Sequence, residues 1–172
     1  MKKLICIGMI LAMAGCSSEP QVKDINDMKD DLISDYQVSD VYIEGDQHLM
    51  IAMSLPENND LEHAANVGFN RMGDMLNHVL VSYPTLDAEA KQIYVSFNAN
   101  LVDTQNNPSI EPMYDVYFDV SELKKLNVDS SSTFYDYLRY ANISVRQPMG
   151  HKVIEAWCAG DNNKQDFVNV CL

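Results

Sequence analysis

Gln92-Ile93-Tyr94-Val95-Ser96-Phe97-Asn98-Ala99-Asn100-Leu101 is the stretch on which the fold turns, because Ile93, Val95, Phe97, Ala99 and Leu101 alternate with more polar neighbours. A period of two puts alternate side chains on opposite faces of a strand, so this segment has one buried and one wet face. One-sided burial marks an antiparallel sheet rather than a parallel one covered by helices on both sides. The next strand is read at Met113 to Val120, beyond a polar loop from Thr104 to Pro112, and the two are expected to pair antiparallel.

Upstream, Leu61, Ala65, Gly68, Met72, Met75 and Val79 recur at spacings of four and three, flanked by Phe69, Leu76 and Leu80. That is one apolar helix face, opened by an Asn59 cap with Glu62 reaching back, and ended near Tyr83-Pro84. The Met and Phe stripe reads as core. Gly68 and Gly73 cost about 1 kcal/mol each relative to Ala, which points to close packing against the sheet. Val41 to Glu44 and His48 to Ser54 form a hairpin around Gly45-Asp46, and Val22, Ile25, Met28, Leu32 and Tyr36 fall at helical spacing before it. Downstream, Ser121 caps a helical turn through Leu126, and Thr133 with Asp136 opens a helix to about Ala141. After a Gln147-Pro148-Met149-Gly150 turn, Val153 to Cys158 and Phe167 to Cys171 read as strands joined by Asp161-Asn162-Asn163. The expected fold is α+β: an antiparallel sheet built from hairpins, with one long amphipathic helix and shorter helices packed on one face.

The amino terminus is organised differently. Lys2 and Lys3 precede the uncharged run Leu4 to Gly15, and Ala14-Gly15 stand directly before Cys16. This is a charged region, an apolar region and a small-residue cleavage site. As a helix, the run is about 18 Å long against a hydrocarbon core of about 30 Å, too short to span. At Met13-Ala14-Gly15-Cys16 the sequence resembles the lipobox of bacterial lipoproteins, with Met13 where Leu is usual. The resemblance covers about the first tenth of the chain and implies a diacylglycerol on the Cys16 thiol, removal of residues 1–15 and acylation of the new amino terminus. Two or three acyl chains, at about 0.8 kcal/mol per buried methylene, hold a protein on a membrane effectively permanently. The competing reading is an ordinary signal peptide ending at an incidental cysteine; spacing and position favour lipidation. In lipoproteins an Asp after the cysteine favours inner-membrane retention, and Ser17-Ser18 lacks it, so the resemblance implies the outer membrane, on its periplasmic or surface face. Residues 16–21 then form a lipidated tether and 22–172 a single globular domain.

From Cys16 onward 157 residues remain, enough for one domain with a real core. Without Lys2 and Lys3 there are ten basic against 25 acidic side chains, a net −15. That balance argues against a nucleic-acid binder, which must replace phosphate counterions with positive charge. It is compatible with a basic protein partner or divalent cations, and equally with plain solubility; the spread of acids along the chain favours solubility. Cys6 leaves with the signal and Cys16 carries lipid, so Cys158 and Cys171 are the thiols of the domain. In an oxidising compartment they are expected to form a disulfide rather than remain two buried reduced thiols, contributing on the order of 3 kcal/mol.

Candidate chemistry mostly fails on geometry. His63 and His78 lie 15 residues apart on one helix, about 22 Å and roughly 60° of rotation, so they cannot share an ion. His48 and His151 lie on other segments, and no HExxH or Cys/His cluster supports zinc. Asp115 and Asp119, with Tyr117 between them, are about 13 Å apart along a strand, beyond the roughly 5 to 9.5 Å of glycosidase carboxylates, and read as a solvated face. Asp103 with Asn106 and Asn107, and Asp161 with its asparagines, lack the EF-hand pattern and read as turns. No G-x-S-x-G elbow, phosphate loop or dinucleotide fingerprint occurs, so no catalytic residue, metal or cofactor is assigned. The leading expectation is a non-catalytic, membrane-anchored envelope lipoprotein that binds a protein or envelope component. Behind it stand an inhibitory or immunity lipoprotein against a basic hydrolase or toxin, and a hydrolase whose site gathers distant residues such as Asp115, Tyr117 or His151.

Overall fold

The computed structural model describes residues 25–57, 60–102, 105–126, 128, 132–160 and 163–171. Cys16 and the rest of residues 1–24 lie outside the described residues. The order is α1 (Ile25–Tyr36), β1 (Val38–Glu44), β2 (His48–Ser54), α2 (Leu61–Ser82), α3 (Leu86–Glu89), β3 (Gln92–Val102), β4 (Pro108–Asp119), α4 (Val120–Leu123), α5 (Phe134–Leu138), β5 (Asn142–Val145), α6 (Pro148–Ala159) and α7 (Asn163–Asp166).

The alternation in β3 is realised as read. Ile93, Val95 and Phe97 are fully buried, while Gln92, Tyr94 and Ser96 are half-buried. Their partners Phe118, Val116 and Tyr114 on β4 and Leu49, Ile51 and Met53 on β2 complete an apolar sheet face. Against it lies α2 with Ala65, Phe69, Met72, Met75, Leu76 and Val79 buried, so the predicted stripe is core. Phe69 is the hub: its ring meets Trp157 edge-on at 5.0 Å and Phe97 at 6.0 Å. Burying each such aromatic or aliphatic side chain contributes roughly 1.5–3 kcal/mol. Gly68 does bring α2 against the sheet, since a Cβ there would meet Phe97 Cε1 at 3.0 Å. Gly73 serves α5 instead; a Cβ there would lie 2.9 Å from Phe134 Cα and Cβ.

The architecture is α+β with helices on one face, but the sheet is mixed. Its five strands lie in the order β1-β2-β3-β4-β5, and β2 runs parallel to β3, from His48 opposite Gln92 to Ser54 opposite Asn98. The reason is α2: its 22 residues extend about 33 Å and carry the chain back along the sheet, so β3 starts beside the start of β2. The other pairs are antiparallel. In the β1–β2 hairpin the positive φ falls on Gly45 (53°) and Gln47 (67°) rather than on Asp46. The expected cap Asn59 lies outside the described residues; Asp60 accepts from His63 N at 3.0 Å and caps α2.

Two expected strands are not strands. Val153 to Cys158 belongs to α6, which Pro148 opens at its first turn, where a missing N–H costs nothing. Val153, Ile154 and Trp157 are its buried face, and Trp157 Nε1 donates to Asn66 Oδ1 at 3.1 Å. Phe167 to Cys171 follows α7 as a turn, with Val170 N and Cys171 N both donating to Phe167 O. Asn169 Nδ2 pins this tail to Leu138 O and Ala141 O. The fifth strand is β5, which pairs with β4. β4 begins at Pro108 rather than Met113, so most of the expected polar loop is strand. Asp119, not Ser121, caps α4, while Thr133 and Asp136 form the expected capping box on a shorter α5. Cys158 and Cys171 are joined by a disulfide with Cα atoms 5.6 Å apart. Among the described residues no helix is long and apolar enough to cross a membrane.

Candidate binding groove

An apolar groove opens where β3, β4 and the first turns of α2 and α6 meet. β2 stops at Ser54; Leu55 N still donates to Asn98 O at 2.7 Å, but Pro56 has no N–H and the chain leaves the sheet. On the opposite wall the β3–β4 register shifts after Phe97, leaving Met113 as an extra residue. The Met113 carbonyl accepts from Arg146 N at 2.9 Å and Gln147 N at 3.2 Å. A Cβ on Gly150 would collide with that carbonyl oxygen, so only glycine lets α6 start directly on the bulge.

The groove has a volume of about 480 Å³, within the usual range for a ligand or side-chain pocket. Leu55, Leu61, Ala99, Leu101, Met113 and Met149 make most of its wall, and its polar members Glu57 and Asn100 are hydrogen-bonded to each other at 2.9 Å. Glu57 is the acid in its wall, while Asp60 caps the helix that supplies Leu61 and Glu111 pairs with Ala99 in the ladder. Met149 is 41 % exposed. Leu61, Ala99 and Leu101 read from the sequence as core positions, and none of the lining residues reads as a site. Their clues are Pro56 and Pro148, each of which ends one element or opens the next, but nothing local says that five segments converge.

A second constellation has the residues of a hydrolytic relay. Ser82 Oγ lies 3.4 Å from His78 Nδ1, and His78 Nε2 lies 3.7 Å from Asp31 Oδ2, which also accepts from Tyr83 OH at 2.7 Å. The longer distance is not a hydrogen bond. Ser82 is the last residue of α2, where the helix dipole is negative, and Asp74 and Tyr36 share the cleft. Nearby carboxylates of Asp35, Asp74 and Asp31 add to burial in raising the Tyr36 phenol. An oxyanion developing there would meet negative charge, the reverse of what acyl transfer requires.

The residues weighed from the sequence are dispersed. His63 is exposed at the start of α2 while His78 sits at its end; His48 lies 5.2 Å from the Tyr94 ring, and His151 lines a cleft beside the disulfide with Lys164. Asp115 corrects the solvated-face reading: it is 3 % exposed, with Arg146 Nε and Nη2 both 2.6 Å from Oδ2. Asp119 is exposed and accepts from Ser121 N and Oγ, so the two acids have separate structural tasks. Of the loop residues considered for calcium, Asp103, Asp161 and Asn162 lie outside the described residues. Asn106 holds a turn at φ 64°, and Asn163 is buried, donating to Trp157 O. Among the described residues no three His, Cys, Asp or Glu side chains are placed to hold a metal. No family model, no curated protein and no solved structure matches this chain.

Proposed function

We propose that this protein is a lipoprotein of the cell envelope, held in the outer membrane through acyl chains on Cys16, whose domain binds a protein partner without chemistry of its own. The anchor rests on Met13-Ala14-Gly15-Cys16 behind its uncharged run, and a domain closed by the Cys158–Cys171 disulfide suits an oxidising compartment. The observation that carries the binding half is the apolar groove with Glu57 in its wall and Asp60 and Glu111 on the elements that supply Leu61 and face Ala99. Its occupant is an apolar side chain carried on a basic segment: the walls take the former, and Glu57 and the net charge attract the latter.

A Cys16→Ser variant is expected to stay unprocessed and to leave the membrane fraction; unchanged fractionation would defeat the anchor. For the groove, crosslinking in intact envelopes is expected to recover a partner with wild type and Val81→Asp, but not with Met149→Asp, and to weaken at high salt. Equal recovery from all three would remove the groove from the account. The charge also favours a narrower reading, an inhibitory or immunity lipoprotein against a basic hydrolase or toxin. Protection from lysozyme or a neighbour's toxin that vanishes on deletion would select that reading.

A further inference from the structure

We infer that the groove takes its partner as an added β-strand: an extended, basic polypeptide segment that pairs with the edge of β3 where β2 has left it. This rests on the groove reading above and deepens it, from a side chain held between apolar walls to a backbone held beside them.

Asn98 O accepts from Leu55 N, so the backbone groups of Asn98 turn toward β2. Along a strand these groups face alternate edges, so those of Asn100 and Val102 turn the same way. β2 ends at Ser54, opposite Asn98, while β3 runs on to Val102 in its pairing with β4. Among the described residues, then, no strand stands opposite Asn100 or Val102 on this side. Their N–H and C=O groups are offered along an open edge; Asn100 lines the groove, and both residues are exposed.

Exposed backbone groups can bond water, so an open edge alone selects nothing. The other edges of this sheet are closed to an added strand. On β1 the register shifts between Val38 and Asp40, and the Val41 N–H donates to Asp40 Oδ1 at 2.9 Å. On β4 the residues opposite Asn98 and Val102 face outward by the same alternation, and these are Pro112 and Pro108, with no N–H to give. β5 is four residues long. Bulges, prolines and short strands are the usual means of denying an edge, and the step on β3 has no proline and no bulge of its own.

Beside that step, Ala99 and Leu101 line the groove with Leu55, Leu61 and Met149. An added strand fills edge and groove together. Its backbone pairs with Asn100 and Val102, and every second side chain falls beside Ala99 and Leu101, onto the apolar wall. A net charge of −13 and Glu57 in that wall favour Lys or Arg on the rest of the segment. A second copy of this chain, as acidic as the first, is disfavoured on the same ground.

The test uses the full chain, extracted from its envelope in mild detergent, and a fluorescent peptide, Lys-Lys-Thr-Leu-Thr-Leu-Thr-Lys-Lys, which reads the same in both directions. Saturable binding is expected by anisotropy. Two further peptides carry N-methyl groups on the threonines or on the leucines. Alternate amides face opposite edges, so one of the two is expected to lose about tenfold or more in affinity and the other to keep it. Val102→Pro removes an edge donor outside the groove wall and is expected to cost about tenfold or more, whereas Val102→Ala keeps that donor and should bind as wild type. Thermal melts equal to wild type separate a lost edge from a lost fold. Binding that is lost in Met149→Asp but indifferent to Val102→Pro and to both methylations leaves a side-chain groove and overturns the added strand. Binding indifferent to Met149→Asp overturns the groove reading and the added strand with it. A wild-type chain that does not bind the peptide, or that sediments as a dimer and becomes monomeric with Val102→Pro, also overturns the added strand.

Discussion

The Tyr114 and Tyr137 side chains are buried, and among the described residues their hydroxyls have no hydrogen-bond partner. Burial holds both phenols protonated; Tyr137 is pushed up to about 12, with Asp136 and Asp74 adding to the effect, and Tyr114 is raised by burial alone. In the unfolded chain both ionise near 10, so above that pH the unfolded state has released protons that the folded state still holds. Stability is expected to be full below pH about 10 and to fall as pH rises toward about 12, read from urea midpoints across that window. Tyr114→Phe removes an unsatisfied hydroxyl, so the variant should be more stable by roughly 1 kcal/mol and lose part of the alkaline decline. Asp115 behaves oppositely, because its charge is matched. Arg146→Met leaves that carboxylate buried and alone, at a cost of about 2–3 kcal/mol given the exposure of the guanidinium, and the Asp115→Leu/Arg146→Met pair should recover most of it in denaturant melts. The pairing was not legible in the sequence. Asp115 sits in an alternating strand exactly as a solvent-facing acid would, and its partner lies 31 residues on, beyond a strand whose existence Asn142 to Val145 barely announce.

Elements were legible where one local pattern decided them. β3 and α2 each carry a single period over many residues, and each forms where read. In Val153 to Cys158 the two periods compete: Val153, Glu155 and Trp157 alternate, while Val153, Ile154 and Trp157 share a helix face. Tertiary contact settles it, since only the helix seats Trp157 on Phe69 with its indole N–H satisfied by Asn66. The disulfide closes that helix onto the C-terminal turn across a separation of 13 residues. A Cys158→Ser/Cys171→Ser chain is expected to lose about 3 kcal/mol, mostly through added freedom of the unfolded state. Hydrogen exchange should locate the loosened amides in residues 163–171, with those of β2 and β3 changed least. The groove was illegible for a related reason: its wall is contributed by segments from Leu55 to Val153, and no one of them has a pattern distinct from ordinary core.

At the scale of the whole molecule, charge and topology act together. Acids outnumber bases by 13, so the folded chain repels itself, and added salt is expected to raise its thermal midpoint between about 20 and 200 mM as screening shortens to about a Debye length of 8 Å. A midpoint that falls with salt would place the ion pairs, rather than the repulsion, in control. Fold class and one-sided helix packing could be read from the chain, whereas the parallel β2–β3 pair could not. Neither strand encodes its neighbour; the length and path of α2 do. The spatial order of the strands is also their order along the chain, and that has a consequence for assembly. A polypeptide delivered amino end first adds each new strand to the outer edge of those already paired, so no earlier pair must open to admit a later one. Cys158 and Cys171 both arrive after β5, the last of the described strands, has been laid down. The covalent ring therefore acts as a latch thrown on a finished sheet.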